Sequence, residues 1–137
     1  MNQFPSKNFF TLPNEIFSLG LSVGEIAVYA YLRCLENPST YQCWPSYATI
    51  GKAIGRTKNT VMQYVDALSE KGLISTEPTS VLTKSRIKKN GNLRYTIKPI
   101  HEAVEIFHTR QLSAVERAAD RRQIQRKLSA VNLLPGA

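Results

Sequence analysis

Cysteine, acidic residues and long apolar runs are all scarce in this 137-residue chain. Its two cysteines cannot form a disulfide framework, which fits a reducing compartment. No apolar run approaches the roughly 20 residues that cross a bilayer, and the first residues lack the charged-then-apolar pattern of a secretion signal. We therefore expect a cytoplasmic protein that has no membrane partner.

Signatures of enzymes are missing as well. The sequence has no phosphate-binding glycine loop, no nucleophile elbow and no pair of catalytic carboxylates. Nothing marks a small-molecule pocket. Four residues are conceivable metal ligands, but their spacing matches no zinc motif: Cys34, Cys43, His101 and His108. The sequence thus predicts a protein that is not an enzyme and has no metal site or other cofactor.

Positive charge is present and unevenly distributed. The chain has 18 Lys and Arg against 10 Asp and Glu, a net charge of +8. Residues 73–99 hold six basic residues and one acidic residue, whereas residues 1–72 have a net charge of only +1 and residues 100–137 of +2. A cluster this dense indicates a polyanionic partner, either nucleic acid or an anionic membrane. The apolar fraction of 42% is enough for a folded domain.

The first long helix has a clear start signal. Ser22 and Glu25 have the spacing of a capping box. The helix is predicted to run over residues 23–36, because the following Asn37-Pro38 disfavours helical geometry. Its apolar residues cover more than one face, which is typical of a central helix packed on two sides. Residues 1–21 are expected to be a lead that packs on the core.

Two further helices follow a loop and are separated by glycine. Ser46 can cap a helix over residues 47–54, and Thr57 can cap another over residues 58–71. Gly72 fits the left-handed position after the last turn, where the next leucine can pack back on the helix. The pair therefore forms a helix-turn-helix pattern.

Beyond these helices the apolar period changes to two. Residues 93–98 alternate apolar and polar side chains, which indicates a half-buried strand. Asn90-Gly91 is a strong turn signal, but a two-residue turn there puts three cations on the buried face. The sequence therefore favours a three-residue loop, Asn90-Gly91-Asn92, which pairs Ile87 with Tyr95.

A long helix is predicted at the C-terminal end. From Ile100 to about Leu134 the chain has neither proline nor glycine. The apolar residues of this segment keep no clean heptad, yet they need burial. We expect a homodimer with residues 100–130 as the interface. Folding of the helix back on its own domain, or binding of another partner, stays open.

Three helices followed by a hairpin resemble a winged helix-turn-helix over roughly residues 20–98. The resemblance is carried by Gly55-Arg56-Thr57-Lys58-Asn59-Thr60-Val61 and by Gly72-Leu73-Ile74 before the wing. It is strongest to DNA-binding domains of bacterial mobile-element replication initiators, replisome organisers and small transcription regulators. The implied fold is mainly α (α+β), with a three-helix core, a β-hairpin wing and a long C-terminal helix. The implied domains are residues 1–21, 22–99 and 100–137.

The resemblance implies sequence-specific binding of double-stranded DNA, by a transcription regulator or a replication-initiation factor. The third helix then enters the major groove, and the wing lies on the backbone or in the minor groove. Basic, amide and hydroxyl side chains supply the contacts. The candidate DNA-binding residues are Ser46, Arg56, Thr57, Lys58, Asn59, Thr60 and Gln63, with Lys84, Arg86, Lys88 and Lys89 in the wing.

Each assignment has a structural alternative. Thr57 could be only a cap, and Asn59 and Gln63 could be solvated helix surface. The basic wing could be an edge strand protected from aggregation by its lysines. Four further cations are more typical of a solvated helix face than of a DNA contact: Arg121, Arg122, Arg126 and Lys127.

Two other functions compete with the first. A winged helix can serve as a protein–protein interaction module, which needs no basic wing. Binding of RNA or single-stranded DNA requires exposed aromatic platforms. Here the aromatic residues are expected in the core or as lids on it: Phe9, Phe10, Phe17, Tyr29, Tyr31, Trp44 and Tyr47.

Overall fold

The computed structural model describes residues 8–82 and 88–132. Within these residues a short 3-10 helix (Asn14–Ser18) precedes four α-helices and five β-strands. The helices are α1 (Val23–Leu35), α2 (Tyr47–Ile54), α3 (Lys58–Glu70) and α4 (Ile100–Asn132), and the strands are β1 (Gln42–Cys43), β2 (Ile74–Glu77), β3 (Ser80–Leu82), β4 (Lys88–Asn90) and β5 (Arg94–Ile97). The chain divides into two units, residues 1–104 and 105–137. No helix in the described part of the chain is long and apolar enough to cross a membrane.

The capping signals place the helix boundaries within a residue of their predicted positions. The Glu25 amide donates to Ser22 Oγ at 3.2 Å, and the Ser22 hydroxyl donates to the Glu25 carboxylate at 2.9 Å. At the C-terminal end of α3, Gly72 has a φ of 82°, and the Leu73 amide donates to the Leu68 carbonyl at 3.0 Å. This pattern is a Schellman stop, as predicted.

A charged pair joins the start of α1 to the end of α3. Lys71 Nζ donates to Glu25 Oε1 at 2.5 Å, and the Glu25 side chain is nearly buried. Burial raises the pKa of Glu25, but the hydrogen bonds from Lys71 and Ser22 outweigh it, so the net pKa is lowered. The pair therefore stabilises the fold while Glu25 is ionised.

The turn between α2 and α3 depends on Gly51. This glycine is buried in α2, and its carbonyl accepts the Arg56 amide at 2.9 Å. A Cβ atom on Gly51 would lie 2.4 Å from the backbone carbonyl oxygen of Arg56. The turn can thus approach α2 this closely only because residue 51 has no side chain.

The register predicted for the hairpin is wrong. Tyr95 pairs with Thr76 on one side and with Cys43 on the other, in a three-stranded antiparallel sheet of order β1-β5-β2. Ile87, its predicted partner, lies outside the described residues. Asn90 pairs with Ser80 in a separate two-stranded ribbon of β3 and β4, so Asn90-Gly91-Asn92 is not the turn of the hairpin.

The reason for the error is the assumption that the hairpin keeps one buried face along its whole length. Only its inner part, β2 and β5, pairs within the sheet that covers the core, where Tyr95 and Ile97 are buried. Pro78 lies between β2 and β3, where its missing N–H costs no ladder hydrogen bond.

Several aromatic residues are not in the core, contrary to expectation. Trp44 is 49% exposed, and three phenylalanines of the N-terminal segment are exposed as well, Phe9, Phe10 and Phe17. Tyr29 is buried as expected, and Tyr31 and Tyr47 are partly buried. The exposed residues lie in connections and at the start of the chain, not on the apolar face of a long helix. The connection between α1 and α2 also contains β1.

In the second unit, α4 has two apolar stripes that do not line up. Leu112 and Val115 lie on one side of the helix, and Ile124, Leu128 and Val131 form the later stripe. Val115 and Ile124 are separated by about two and a half helical turns, so they point to opposite sides. All five side chains are exposed.

We predict that Gly51→Ala destabilises the protein by about 1–3 kcal/mol, because the added methyl group forces the Arg56 carbonyl away from α2. An alanine with free space would instead stabilise a helix by about 0.5–1 kcal/mol. Urea denaturation measures the difference. The exposed neighbour Lys52→Ala is the control, expected within about 0.5 kcal/mol of the wild type. A Gly51→Ala protein as stable as the wild type would contradict the close approach.

We predict that Glu25→Gln lowers the free energy of unfolding at pH 7 by about 1–2 kcal/mol. Because the folded-state pKa of Glu25 is lowered, its contribution is complete above the ordinary value of 4.5 and is lost as the pH falls through the folded-state pKa. The difference between wild type and variant should therefore shrink on acidification. Urea titrations at several pH values between neutrality and strong acid measure it, with exposed Glu15→Gln as the control. A difference that stays constant with pH would refute this role.

Candidate nucleic-acid interface

The third helix presents a polar face to solvent. Val61, Val65 and Leu68 form a buried stripe that anchors α3 on the core. The opposite face is exposed along its first three turns and consists of Lys58, Asn59, Met62, Gln63 and Asp66. An exposed helix face with cationic and amide side chains at its N-terminal end is suited to reading base edges in the major groove.

Thr57 and Thr60 interact with each other at the start of α3. The Thr60 amide donates to Thr57 Oγ1 at 3.3 Å, and the Thr57 hydroxyl donates to Thr60 Oγ1 at 3.0 Å. Thr57 is thus the helix cap, which was the structural alternative to a DNA contact. Thr57 remains exposed, and a phosphate contact by this residue stays a prediction.

Two cations flank this cap. Arg56 is exposed and donates to the Gly55 carbonyl at 2.9 Å, and Lys58 is exposed in the first turn of α3. The salt bridges found among residues 8–82 and 88–132 use other cations, Arg33, Lys71, Arg94 and Lys98. Arg56 and Lys58 therefore carry positive charge at the end of the helix that a groove can admit.

Two residues on the exposed face were missed as contacts. Met62 is 42% exposed and lies between Asn59 and Asp66, where an apolar group can contact a thymine methyl. Asp66 is exposed one turn further on, and its charge opposes close approach of phosphates. The i, i+3 and i, i+7 spacing from Asn59 was the signal that could have placed Met62 and Asp66 on this face. The exposed lysine and amide side chains of this face thus lie in the first two turns of α3, before Asp66.

Ser46 lies at the start of α2, as predicted. The Thr49 amide donates to Ser46 Oγ at 3.0 Å, so the hydroxyl caps the helix. Nearby, Tyr47 is partly buried, and its pKa is raised by burial and, to a lesser degree, by the charge of Asp66. A phosphate contact by Ser46 remains a prediction.

Two ion pairs neutralise part of the positive charge in the wing segment. Arg94 on β5 pairs with Glu77 on β2, and Lys98 pairs with Glu102 at 3.1 Å. Lys88 and Lys89 lie on β4, opposite Leu82 and Val81. Two other candidates, Lys84 and Arg86, lie outside the described residues. The role of these four candidate cations thus stays a prediction.

The base of the wing is tied to the helix-turn-helix unit. The side-chain amide of Asn92 donates to the backbone carbonyl of Trp44 at 3.1 Å. Trp44 lies two residues before Ser46, the N-cap of α2. The start of α2 and the wing are therefore neighbours in the first unit.

The two cysteines differ in burial, since Cys43 is buried and Cys34 is partly buried. Burial raises the pKa of Cys43 to about 12 and also raises the pKa of Cys34. Both thiols are thus protonated at neutral pH, whereas metal ligands and nucleophiles need the thiolate. In the part of the chain that is described, no three His, Cys, Asp or Glu residues lie close enough together to hold a metal ion.

Part of the chain is similar to a known family of domains. Residues 19–74 match a family model described as a helix-turn-helix domain. This segment contains α1, α2, α3 and the start of β2, and therefore the entire candidate face of α3. No curated protein matches the sequence.

Solved structures give a likeness over most of the chain. A protein from Methanosarcina mazei Go1, described as a possible transcriptional regulator, has a TM-score of 0.52 at 13% identity, with 85% of this chain and 97% of that chain covered. YusO from Bacillus subtilis has 14% identity and a TM-score of 0.42, with coverage of 90% and 81%. A point mutant of MepR from S. aureus, bound to an oligodeoxyribonucleotide, has 18% identity and a TM-score of 0.45, with coverage of 85% and 81%. The resemblance predicted from the sequence is confirmed at the level of the fold.

Proposed function

We propose that this winged helix-turn-helix protein binds double-stranded DNA in a sequence-specific manner. The observation that carries the proposal is the exposed face of α3, whose first two turns combine Lys58, Asn59 and Gln63 opposite a buried apolar stripe. Asn59 and Gln63 can each form paired hydrogen bonds with adenine, and Lys58 can bind guanine or phosphate. The start of α3 lies in the major groove in this arrangement.

The wing supplies contacts that do not depend on sequence. Its four candidate cations, Lys84, Arg86, Lys88 and Lys89, fit the backbone or the adjacent minor groove. Arg56, Thr57, Thr60 and Ser46 complete the set at the starts of α3 and α2, where hydroxyl and guanidinium groups can bind phosphates. The residues of the exposed α3 face thus supply sequence specificity, and the phosphate-binding residues add affinity that does not depend on sequence.

We further propose a role as a transcription regulator or as a replication-initiation factor of a bacterial mobile element. The description of the Methanosarcina relative supports the first, and the sequence resemblance supports both. Selection of bound duplexes from a random pool separates them. Single or palindromic sites in promoters favour regulation, whereas arrays of direct repeats favour replication initiation.

We predict that Asn59→Ala weakens binding to a selected duplex by about 1–3 kcal/mol and leaves binding to a random duplex nearly unchanged. The loss is specific because phosphate contacts are retained. Fluorescence anisotropy of a labelled duplex measures it, and Ser69→Ala, exposed near the other end of α3, is the matched control. Equal losses on both duplexes would remove the base-reading role of Asn59.

A wing variant provides the opposite pattern in the same experiment. Lys88→Ala combined with Lys89→Ala should weaken both duplexes alike and reduce the slope of log affinity against log salt by about 2. Absence of binding to any duplex at low salt would overturn the proposal and favour a protein–protein interaction module instead.

We propose a homodimer with α4 as its interface. The support is the exposed apolar surface of the second unit, which two copies could bury against each other. A twofold dimer also presents two recognition helices to a palindromic site. Fold-back of this helix on its own domain and binding of a different partner are the competing arrangements.

We predict that sedimentation velocity shows a dimer at micromolar concentration. Leu112→Glu combined with Val115→Glu should weaken it at least about tenfold, because two charges then enter an apolar contact. Gln125→Glu, which is exposed and lies off both stripes of α4, is the control. A wild-type protein that stays monomeric at high concentration would exclude this arrangement.

A further inference from the structure

The wing is built in two parts with a kink between them. Pairing of β2 with β5 ends at Glu77 and Arg94, and pairing of β3 with β4 begins at Ser80 and Asn90. Two residues separate these pairs on one strand and three on the other, so the longer strand contains a bulge. A bulge bends a ribbon and changes its direction, and a two-stranded ribbon alone is only marginally stable in water. The direction of the β3–β4 ribbon therefore needs further support.

Three hydrogen bonds close the kink. The Gly91 amide donates to the Thr79 carbonyl at 2.8 Å, and the Thr79 hydroxyl donates to the Asn92 carbonyl. These two bonds link the strands of the wing to each other. The third, from the Asn92 side chain to the Trp44 carbonyl, links the kink to the segment that leads into α2.

The third bond connects two segments that are both close to candidate DNA-binding residues. Lys88 and Lys89 lie on β4, directly before the kink, and Trp44 lies directly before the capped start of α2. The Asn92 side chain thus joins the segment that follows the wing lysines to the segment that leads into α2. Alanine at position 92 keeps the backbone bonds of the kink and removes only this link.

We propose that Asn92 is a positioning residue, which holds the β3–β4 ribbon at a fixed angle to α2 so that the wing lysines reach the duplex bound by α3. The inference rests on the proposed DNA binding. Charge contacts with phosphate weaken with distance and are screened over about 8–10 Å in solution, so a ribbon that swings freely loses them. Base contacts by α3 do not depend on this angle.

The test is a set of double variants read by duplex affinity. Asn92→Ala should weaken binding about three- to tenfold, the range of one net hydrogen bond. The loss caused by Lys88→Ala with Lys89→Ala should become much smaller in the Asn92→Ala background, whereas the loss caused by Asn59→Ala should stay the same. Asn14→Ala, an exposed asparagine of the short first helix, is the matched control and should leave all losses unchanged.

A general loss of stability would not produce this selective pattern, because it affects all contacts. Equal losses from the wing lysines in both backgrounds, with an unchanged melting temperature, would overturn the inference while the proposed function stands.

A measurement without DNA separates the two proposals further. Amide hydrogen exchange at Gly91 and along β3 and β4 should accelerate in Asn92→Ala relative to Asn14→Ala, since the kink loses its anchor on Trp44. Unchanged exchange would refute the positioning role even if the wild type binds no duplex. Faster exchange in a protein that binds no duplex would support the role of Asn92 in the fold. It would refute the proposed function, and the predicted effect of Asn92 on affinity would then be refuted too.

Discussion

The orientation of α3 depends on one close contact, the approach of the Arg56 carbonyl to Gly51 of α2. Because residue 51 has no side chain, the turn can fold tightly, and α3 then buries Val61 and Val65 while it exposes its polar face. A turn pushed outward would rotate this face relative to the core and to the wing. The proposed contacts of α3 with DNA thus depend on residue 51, which is not itself among the candidate DNA-binding residues.

Sequence reasoning succeeded where structure is decided locally. The helix starts are marked by Ser22, Ser46 and Thr57, whose side chains accept hydrogen bonds from amides only three residues away. Signals this local can be recognised in the sequence alone. The wing register could not be predicted from the sequence, because the pairing of Tyr95 with Thr76 is set by a bulge and by the edge strand β1. Hairpin rules assume a continuous ribbon, and here the ribbon has two parts.

The candidate site, like the fold, could be predicted only in part from the sequence. Periodicity identified the exposed face of α3, but Met62 and Asp66 were not recognised on it because an exposed methionine and a lone carboxylate carry no motif. Trp44 was predicted to be a lid on the core, yet it lies in a connection and is 49% exposed. Its carbonyl, rather than its indole ring, has the clearest structural role, as the acceptor of the Asn92 amide.

The two apolar stripes of α4 have a further geometric consequence. A straight rod packed along this helix could cover Leu112 and Val115 or it could cover Ile124 and Leu128, but the half-rotation between them leaves one group in water. Full coverage requires either a surface that winds around the helix or two separate surfaces, each in contact with one end. In the second case, the segment between the stripes is the boundary between the two surfaces.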